Sequence, residues 1–175
     1  EDNLKRVRLN LAANGFRGGF SMLFYGAPGT GKTALAKELA RRTGRSIMQV
    51  DMSAVRDKFV GESEKNVQAI FDSYKELAAV SEKTPVLVLN EADALITRRN
   101  ENATTGVDKM ENAMQNILLQ NMEDFDGILI ATTNLSGNMD GAFERRFLYK
   151  LEFPKPDTEV RAQIWRSKMP KISMP

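Results

Sequence analysis

The stretch YGAPGTGKT, residues Tyr25–Thr33, contains a pattern of glycines, lysine and threonine with fixed spacing. It follows a short apolar run, Ser21–Tyr25, that predicts a buried strand, and it leads into Lys32–Arg42, where apolar residues recur at helical spacing. The pattern G-x-x-x-x-G-K-T between a strand and a helix is typical of a loop that holds the phosphates of a nucleotide. A plain glycine-rich turn is the alternative, but such a turn has no need of a lysine and a threonine at its end. We therefore predict a nucleotide site.

Each residue type in this loop has a chemical reason. Glycines let backbone N–H groups converge on phosphate oxygens, and the N-terminus of the following helix adds a partial positive charge. The Lys32 ammonium would lie near the outer phosphates, and the Thr33 hydroxyl would ligate magnesium. We expect ATP and Mg²⁺ as cofactors, and the predicted nucleotide-binding residues are Gly26, Pro28, Gly29, Thr30, Gly31, Lys32, Thr33 and Ala34.

A second motif, VLVLNEAD, ends an apolar run where a magnesium-anchoring carboxylate is expected. Here that position is Asn90, a neutral amide, followed by Glu91. The Asn90 oxygen can accept a hydrogen bond from a magnesium-bound water, so we expect weaker metal binding rather than none. Glu91, just beyond the strand, is placed to polarise an attacking water. An ordinary solvated strand end is the alternative, and whether the chain hydrolyses its nucleotide depends on what Asn90 and Glu91 do.

Composition excludes several classes of function. The chain has 175 residues, no cysteine, no histidine and a formal net charge of +2. Disulfide frameworks, thiolate chemistry and histidine-ligated zinc are excluded, and a near-neutral charge gives no general attraction to nucleic acid. No apolar run approaches the roughly 18 residues that span a bilayer, and the first ten residues do not resemble a signal peptide. We expect an intracellular, cytoplasmic domain without a membrane segment.

Strand and helix patterns alternate along the chain. Strands alternating with helices predict a mostly parallel sheet that is covered on both faces. The fold class we expect is α/β, a P-loop NTPase three-layer sandwich with a mostly parallel five-stranded sheet. Besides the segments named above, the patterns predict a leading helix at Leu4–Ala13, strands at Ser46–Met52, Val86–Leu89, Ile128–Ala131 and Leu148–Phe153, helices at Glu62–Val80, Val107–Met122 and Asp157–Lys168, and a loop at Thr97–Gly106.

Five segments in order carry a family resemblance. GAPGTGKT, DKFVGESEKNVQAIF, VLVLNEAD, ILIATTN and DGAFERRFLYKLEFPKPD resemble the AAA family of ATPases, over about Leu23 to Asp157. The chain looks most like the branch with proteasomal, membrane-fusion and microtubule-severing members. Asp140–Phe147 is similar to the katanin–spastin group, and the NEAD form of the second motif, a departure from the usual Asp-Glu, is similar to uncharacterised bacterial members.

The resemblance implies catalytic roles for residues that would not stand out alone. Glu91 would activate the attacking water, and Asn134, after the strand ILIATT, would position it near the γ-phosphate. Arg145 and Arg146 would reach the nucleotide of the neighbouring subunit and, with Lys32, stabilise charge in the transition state. Without the family, Asn134 fits a simple turn and paired arginines fit a solvated face or salt bridges.

The resemblance also implies loops that contact a substrate and a division into domains. Lys58, Phe59, Val60 and Gly61 match the family's pore loop, in which an aromatic side chain grips a polypeptide; the alternative is that Phe59 packs in the core. Arg98–Lys109 would be a second pore-facing loop. Residues 1–157 would form the large nucleotide-binding domain, and residues 158–175 would begin a helical lid that the chain does not complete.

The function that these motifs predict is ATP binding and hydrolysis that drives polypeptide or complex remodelling. The partners would be further copies of the chain in a homo-hexameric ring, with arginines acting in trans, and a protein substrate in the central pore. One alternative is an ATP-gated scaffold with little or no hydrolysis, for which Asn90 is the support. Another is a DNA-acting ATPase of the same type, although no nucleic-acid partner is expected from the charge.

Overall fold

Five parallel strands form one sheet in this computed structural model, which describes residues 6, 9, 19–57, 63–96, 106–135 and 139–168. The strands within these residues are β1 (Phe20–Gly26), β2 (Ile47–Asp51), β3 (Val86–Asn90), β4 (Ile128–Thr133) and β5 (Tyr149–Phe153). Their order across the sheet is β2–β3–β4–β1–β5, and every pair is parallel. The predicted five-stranded α/β sandwich is therefore confirmed.

Helices cover both faces of this sheet. Among the described residues they are α1 (Lys32–Thr43), α2 (Met52–Asp57), α3 (Ser63–Val80), α4 (Asp93–Ile96), α5 (Gly106–Glu123), α6 (Gly141–Glu144) and α7 (Thr158–Lys168). No helix of the described part of the chain is long and apolar enough to cross a membrane.

The two faces of the sheet bury separate apolar clusters. On one face Ala36 and Ala40 of α1 pack against strand residues such as Phe24 and Val88. On the other face α3 and α5 pack against the sheet through a larger cluster that includes Phe71, Tyr74, Leu87, Leu118 and Leu129. All five residues of β3 are buried; the unbroken apolar run Val86–Leu89 predicts this for a central parallel strand, and the polar Asn90 that ends the strand is buried as well.

The long elements agree with the sequence patterns to within two residues, and the differences lie at their ends. Met52 was predicted to end a strand but begins α2, because the preceding strand stops at Asp51, whose side chain caps the turn. Gly106 was predicted in a loop but begins α5. The strand predicted to end at Ala131 continues through Thr132 and Thr133, which stay buried despite their hydroxyls. Of the predicted leading helix the structure describes only Arg6 and Leu9, both helical.

A parallel sheet brings the carboxyl ends of all its strands to one edge, and ligands of open α/β sheets bind outside that edge. The predicted phosphate loop follows β1, Asn90 ends β3 and Asn134 follows β4. The fold therefore gathers the three predicted motifs on one side of the molecule.

Candidate functional site

A cavity of about 510 Å³ opens at the carboxyl edge of the sheet. It is lined by four segments that are distant in sequence but adjacent in the fold, and these lining residues are Pro28, Gly29, Gly31, Lys32, Thr33, Ala34, Gln49, Asp51, Asn90, Glu91, Thr132, Thr133 and Asn134. Most of the residues predicted from the sequence to bind nucleotide or act in catalysis are thus brought together. A space of this size is typical of a small-molecule site.

The loop after β1 depends on glycine where side chains would not fit. Gly26 has φ +137°, and a Cβ there would collide with the carbonyl of Phe153. Gly31 immediately precedes α1 with φ +97°, a conformation that L side chains rarely adopt. Gly26 and Thr30 shape the loop without lining the cavity, and the Thr30 hydroxyl donates to the carbonyl of Ala27 at 2.8 Å.

Lys32 is 8% exposed, and its ammonium group is held by three acceptors. It donates to the carbonyls of Gly26 at 2.7 Å and Ala27 at 2.8 Å, and to Oδ1 of Asn134 at 3.0 Å. These contacts match the three donors of an ammonium group. Burial lowers the pKa of Lys32, and the nearby Asp93 carboxylate opposes that shift. An anionic ligand would stabilise the charged form, so the site is suited to phosphate oxygens.

Thr33 is oriented by Asn90. The Thr33 hydroxyl donates to Oδ1 of Asn90 at 3.0 Å, and the Thr132 hydroxyl donates to the same oxygen at 3.2 Å. Because the Thr33 proton points to Asn90, its oxygen lone pairs are free to face the cavity. The Asn90 amide therefore orients the Thr33 hydroxyl, as a carboxylate at this position would.

Glu91 follows the buried Asn90 and turns the chain out of the sheet. Its side chain is exposed at the cavity, and its φ of +52° makes it the one non-glycine residue of the described part with a left-handed backbone. The next N–H, of Ala92, donates to the carbonyl of Thr132 at 2.9 Å and fixes the turn against β4. Strained backbone of this kind concentrates at functional positions.

Asn134 is held from both ends. Its backbone N–H donates to Oδ1 of Asp93 at 3.1 Å, while its side-chain oxygen accepts from Lys32. The motif that supplies Asn90 and Glu91 thus also fixes the position of Asn134 through Asp93. Sequence reasoning missed Asp93, although its place three residues after Asn90 in the same motif was a usable signal.

Gln49 and Asp51 are further cavity residues that sequence reasoning missed. Oδ1 of Asp51 accepts from the N–H of Ser53 at 3.0 Å, from the Ser53 hydroxyl at 2.7 Å and from the N–H of Ala54 at 3.4 Å. These hydrogen bonds, that of the Ser53 hydroxyl first, lower the pKa of Asp51. The D-x-S spacing marks such a cap in the sequence, but nothing in that pattern points to a cavity.

Arg145 and Arg146 lie away from the cavity, near the opposite edge of the sheet. The backbone carbonyl of Arg146 accepts from the hydroxyl of Ser21 at 2.6 Å, close to the amino end of β1. Arg145 is exposed, whereas the guanidinium of Arg146 contacts Oε2 of Glu123 at 2.9 Å and the carbonyl of Ala142 at 3.3 Å. Neither arginine lines the cavity.

The predicted pore loop, Lys58, Phe59, Val60 and Gly61, lies outside the described residues. So does most of the predicted second loop, Arg98–Lys109, of which only residues 106–109 are described, as the start of α5. Their predicted contact with a polypeptide stays a prediction.

The donor set of the cavity suits a magnesium–nucleotide complex. One cation, Lys32, and the N-terminus of the twelve-residue helix α1 face the loop where phosphates would lie. The Thr33 hydroxyl and the carboxylates of Asp51 and Glu91 are hard oxygen groups of the kind that Mg²⁺ prefers. An exposed carboxylate beside a cationic phosphate cradle is an arrangement that can promote attack of water on a terminal phosphate.

Comparison with known proteins agrees with this geometry. The model of the ATPase family associated with various cellular activities (AAA) matches residues 22–155. Cell division protein C of Sulfolobus acidocaldarius is 34% identical over 161 residues, which is 87% of this chain and 41% of that protein. Proteasome-activating nucleotidase 2 of Haloferax volcanii is 38% identical over 150 residues, 82% of this chain and 35% of that protein. The chain therefore spans about two fifths of these relatives.

Solved structures share the fold as well. A chain of the E. coli MS115-1 HORMA:CdnC:Trip13 complex superposes with a TM-score of 0.67 at 26% identity, covering 91% of this chain and 56% of the other. The FIGL-1 AAA domain in complex with ADP gives a TM-score of 0.67 at 25% identity, covering 89% and 51%. The family model matches most of the chain, and the cavity is built from residues of that family's motifs. The chain therefore belongs to the AAA family of ATPases.

Proposed function

We propose that this chain binds ATP with Mg²⁺ and hydrolyses it, and that a ring of such subunits uses the reaction to remodel polypeptides or protein complexes. The observation that carries the proposal is the convergence of Lys32, Thr33, Glu91 and Asn134 on one cavity at the carboxyl edge of the sheet. Membership of the AAA family and the nucleotidases among its relatives support the same chemistry.

Each of these residues has a role in the proposed reaction. Phosphate oxygens would replace the loop carbonyls as acceptors for the Lys32 ammonium. The Thr33 hydroxyl, oriented by Asn90, would hold a magnesium ion, which when bound neutralises charge on the β- and γ-phosphates. Glu91 would accept a proton from the attacking water as the bond between the γ-phosphorus and its bridging oxygen breaks. Asn134 would hydrogen-bond that water once its contact with Lys32 is released.

Positive charge that stabilises the transition state, as ADP leaves the γ-phosphorus, would come from another subunit. Arg145 and Arg146 lie away from the cavity, near the opposite edge of the sheet, which supports a role at the nucleotide of a neighbouring copy rather than at their own. Such arginines add large factors to the rate of phosphoryl transfer. We propose a homo-hexamer, in which each nucleotide lies between two subunits and hydrolysis depends on assembly.

The proposed substrate is a polypeptide in the central pore, gripped by Phe59 within Lys58–Gly61. An aromatic side chain on a glycine-flanked loop offers a large contact area and loses little side-chain entropy on contact. The relatives named proteasome-activating nucleotidase support a protein substrate.

We place this activity inside the cell. We also propose that residues 1–157 form the large domain and that residues 158–175 begin a lid. The family match, which ends at residue 155, supports that boundary.

Asn90 supports a second candidate function, a scaffold that binds ATP as an assembly signal and hydrolyses little of it. The amide brings no charge to the place where the metal would bind, and both lone pairs of its oxygen already accept from threonine hydroxyls. Binding would persist in such a protein, because Lys32 and the loop are complete, but turnover would be slow.

One experiment tests binding and separates the two candidates. ATP affinity and steady-state Mg·ATP turnover are measured for the parent, Lys32→Ala, Glu91→Gln and Asn90→Asp, with Lys37→Ala as a matched control on the exposed face of α1. We expect Lys32→Ala to abolish ATP binding and Lys37→Ala to leave it unchanged. Turnover that Glu91→Gln removes supports the motor. If the parent binds ATP without hydrolysing it and the Asn90→Asp variant does hydrolyse it, the scaffold is supported. If Lys32→Ala binds ATP as well as the parent does, both candidate functions are refuted.

A further inference from the structure

Asn90 has no free hydrogen-bond acceptor for the waters of a hydrated cation. Its oxygen has two lone pairs, which accept from Thr33 at 3.0 Å and from Thr132 at 3.2 Å. The rest of the amide is an NH₂ group, which can only donate. Asn90 therefore orients the threonine, but it supplies neither a negative charge nor a free acceptor where the metal of the nucleotide would lie.

Asp51 occupies the equivalent position in the next strand. In the parallel pairing of β2 with β3 it is the register partner of Asn90, and each of the two residues ends its strand. Adjacent strands lie about 4.8 Å apart, and alternate residues of a strand point to the same face. The register partners Gln49–Val88 and Asp51–Asn90 share one face, the face against which α1 packs. Asp51 and Glu91 are the two carboxylates among the residues that line the cavity.

The Asp51 carboxylate is fixed in one orientation. Its three hydrogen bonds, to the N–H and hydroxyl of Ser53 and to the N–H of Ala54, all use Oδ1. Oδ2 is then the oxygen that can accept from a ligand in the cavity. Because the residue is exposed, its charge is present without a large desolvation cost.

We propose that Asp51 supplies the negative charge that Asn90 lacks, and that it anchors the hydrated magnesium of the bound nucleotide from the end of the neighbouring strand. Mg²⁺ gives up its waters reluctantly and is commonly held by one or two carboxylates together with substrate phosphates. A carboxylate one strand away can serve such an ion through its waters. The inference rests on the proposed nucleotide site and names a further positioning residue of that site.

The competing explanation is that Asp51 only caps the six-residue helix α2. Asp51→Asn separates the two roles, because asparagine caps helices about as well as aspartate but carries no charge. Asp72→Asn is the matched control, since it removes the same charge from an exposed position on α3, in the layer on the other face of the sheet. Thermal unfolding of each variant shows whether the cap and the fold are preserved.

The test uses Mn²⁺ as a probe for the magnesium position. ATP affinity is measured in EDTA, and Mn²⁺ affinity of the ATP complex is measured by electron paramagnetic resonance, for the parent, Asp51→Asn, Asn90→Asp, the double variant and the control. We expect Asp51→Asn to weaken Mn²⁺ binding on the order of 10- to 100-fold, the usual effect of losing an outer-shell partner. Its ATP affinity in EDTA should stay within about twofold of the parent's. The double variant should recover most of the loss.

The outcomes separate this inference from the proposed function. If the parent binds no ATP in EDTA or with metal, the nucleotide site and the inference both fail. If ATP binds normally but Asp51→Asn and Asp72→Asn give the same Mn²⁺ affinity as the parent, Asp51 is only a cap and the proposed function survives. A loss of Mn²⁺ affinity that Asp72→Asn shows to the same extent would be a general effect of removing a negative charge and would equally overturn the inference.

Discussion

Replacing Glu91 by glycine should remove hydrolysis and make the nucleotide-free chain more stable. Glu91 has φ +52°, and a left-handed conformation costs a residue with a side chain about 1–2 kcal/mol. Glycine has no such cost, but it loses more backbone entropy on folding, roughly 0.5–1 kcal/mol. The difference predicts a gain of about 0.5–1 kcal/mol in the free energy of unfolding. The Glu91 side chain is exposed, so its removal subtracts little packing.

The assay is urea denaturation without nucleotide, with a series of variants at this one position. Glu91→Ala keeps the Cβ and therefore the backbone strain, so its stability should stay near that of the parent. Glu91→Asn should fall between alanine and glycine, because asparagine tolerates the left-handed region better than most residues. All three should lose ATP turnover, since none carries the carboxylate. A glycine variant no more stable than the alanine variant would refute the reasoning that strain is stored at this position.

Three further predictions address other parts of the molecule. Tyr74→Phe should lower the free energy of unfolding by about 1–3 kcal/mol, because the buried Tyr74 hydroxyl donates to the carbonyl of Pro85 at 2.8 Å; urea denaturation measures this, and a loss under ~0.5 kcal/mol would contradict it. Glu123→Gln should lower the free energy of unfolding by less than about 1 kcal/mol, because the ion pair between Glu123 and Arg146 is partly solvated. A decrease above ~2 kcal/mol in the same assay would contradict this prediction. Phe59→Ala should keep basal ATP turnover but stop unfolding of a tagged protein substrate, and intact unfolding would argue that Phe59 packs in the core.

The sequence was sufficient to predict the sheet and its long helices because those elements carry many residues of one period. The helix α3 shows the apolar spacing of Val67, Phe71 and Tyr74, all of which are buried. The short helices α2, α4 and α6 have four to six residues each, too few to show a helical period, and none of them was predicted. These short helices are stabilised by tertiary contacts and by capping. At the start of α6, for example, the N–H of Ala142 donates to Oδ1 of Asp140 at 2.7 Å.

The candidate site divides in the same way. Lys32, Thr33, Glu91 and Asn134 lie in ordered motifs, so they were predicted from the sequence and do line one cavity. Asp51 was not predicted, because its place in the cavity depends on the register between β2 and β3, and a shift of one residue would turn it to the other face of the sheet. Register is set by packing along the whole strand, so it cannot be predicted from any short segment of the sequence.

The register between β2 and β3 also offers an explanation for the asparagine in the motif VLVLNEAD, where Asn90 ends β3. In a parallel sheet the last residues of neighbouring strands meet at one edge, so a charge moved from the end of β3 to the end of β2 shifts by about one strand spacing, 4.8 Å. A hydrated cation, which contacts its carboxylates through water, is more tolerant of such a shift than a directly ligated one. Thr33 and Thr132 already occupy the amide oxygen at position 90. Under our proposal, two side chains on adjacent strands divide the work: Asn90 orients Thr33, and Asp51 supplies the negative charge for the metal. An asparagine at the end of β3 is then compatible with an active site.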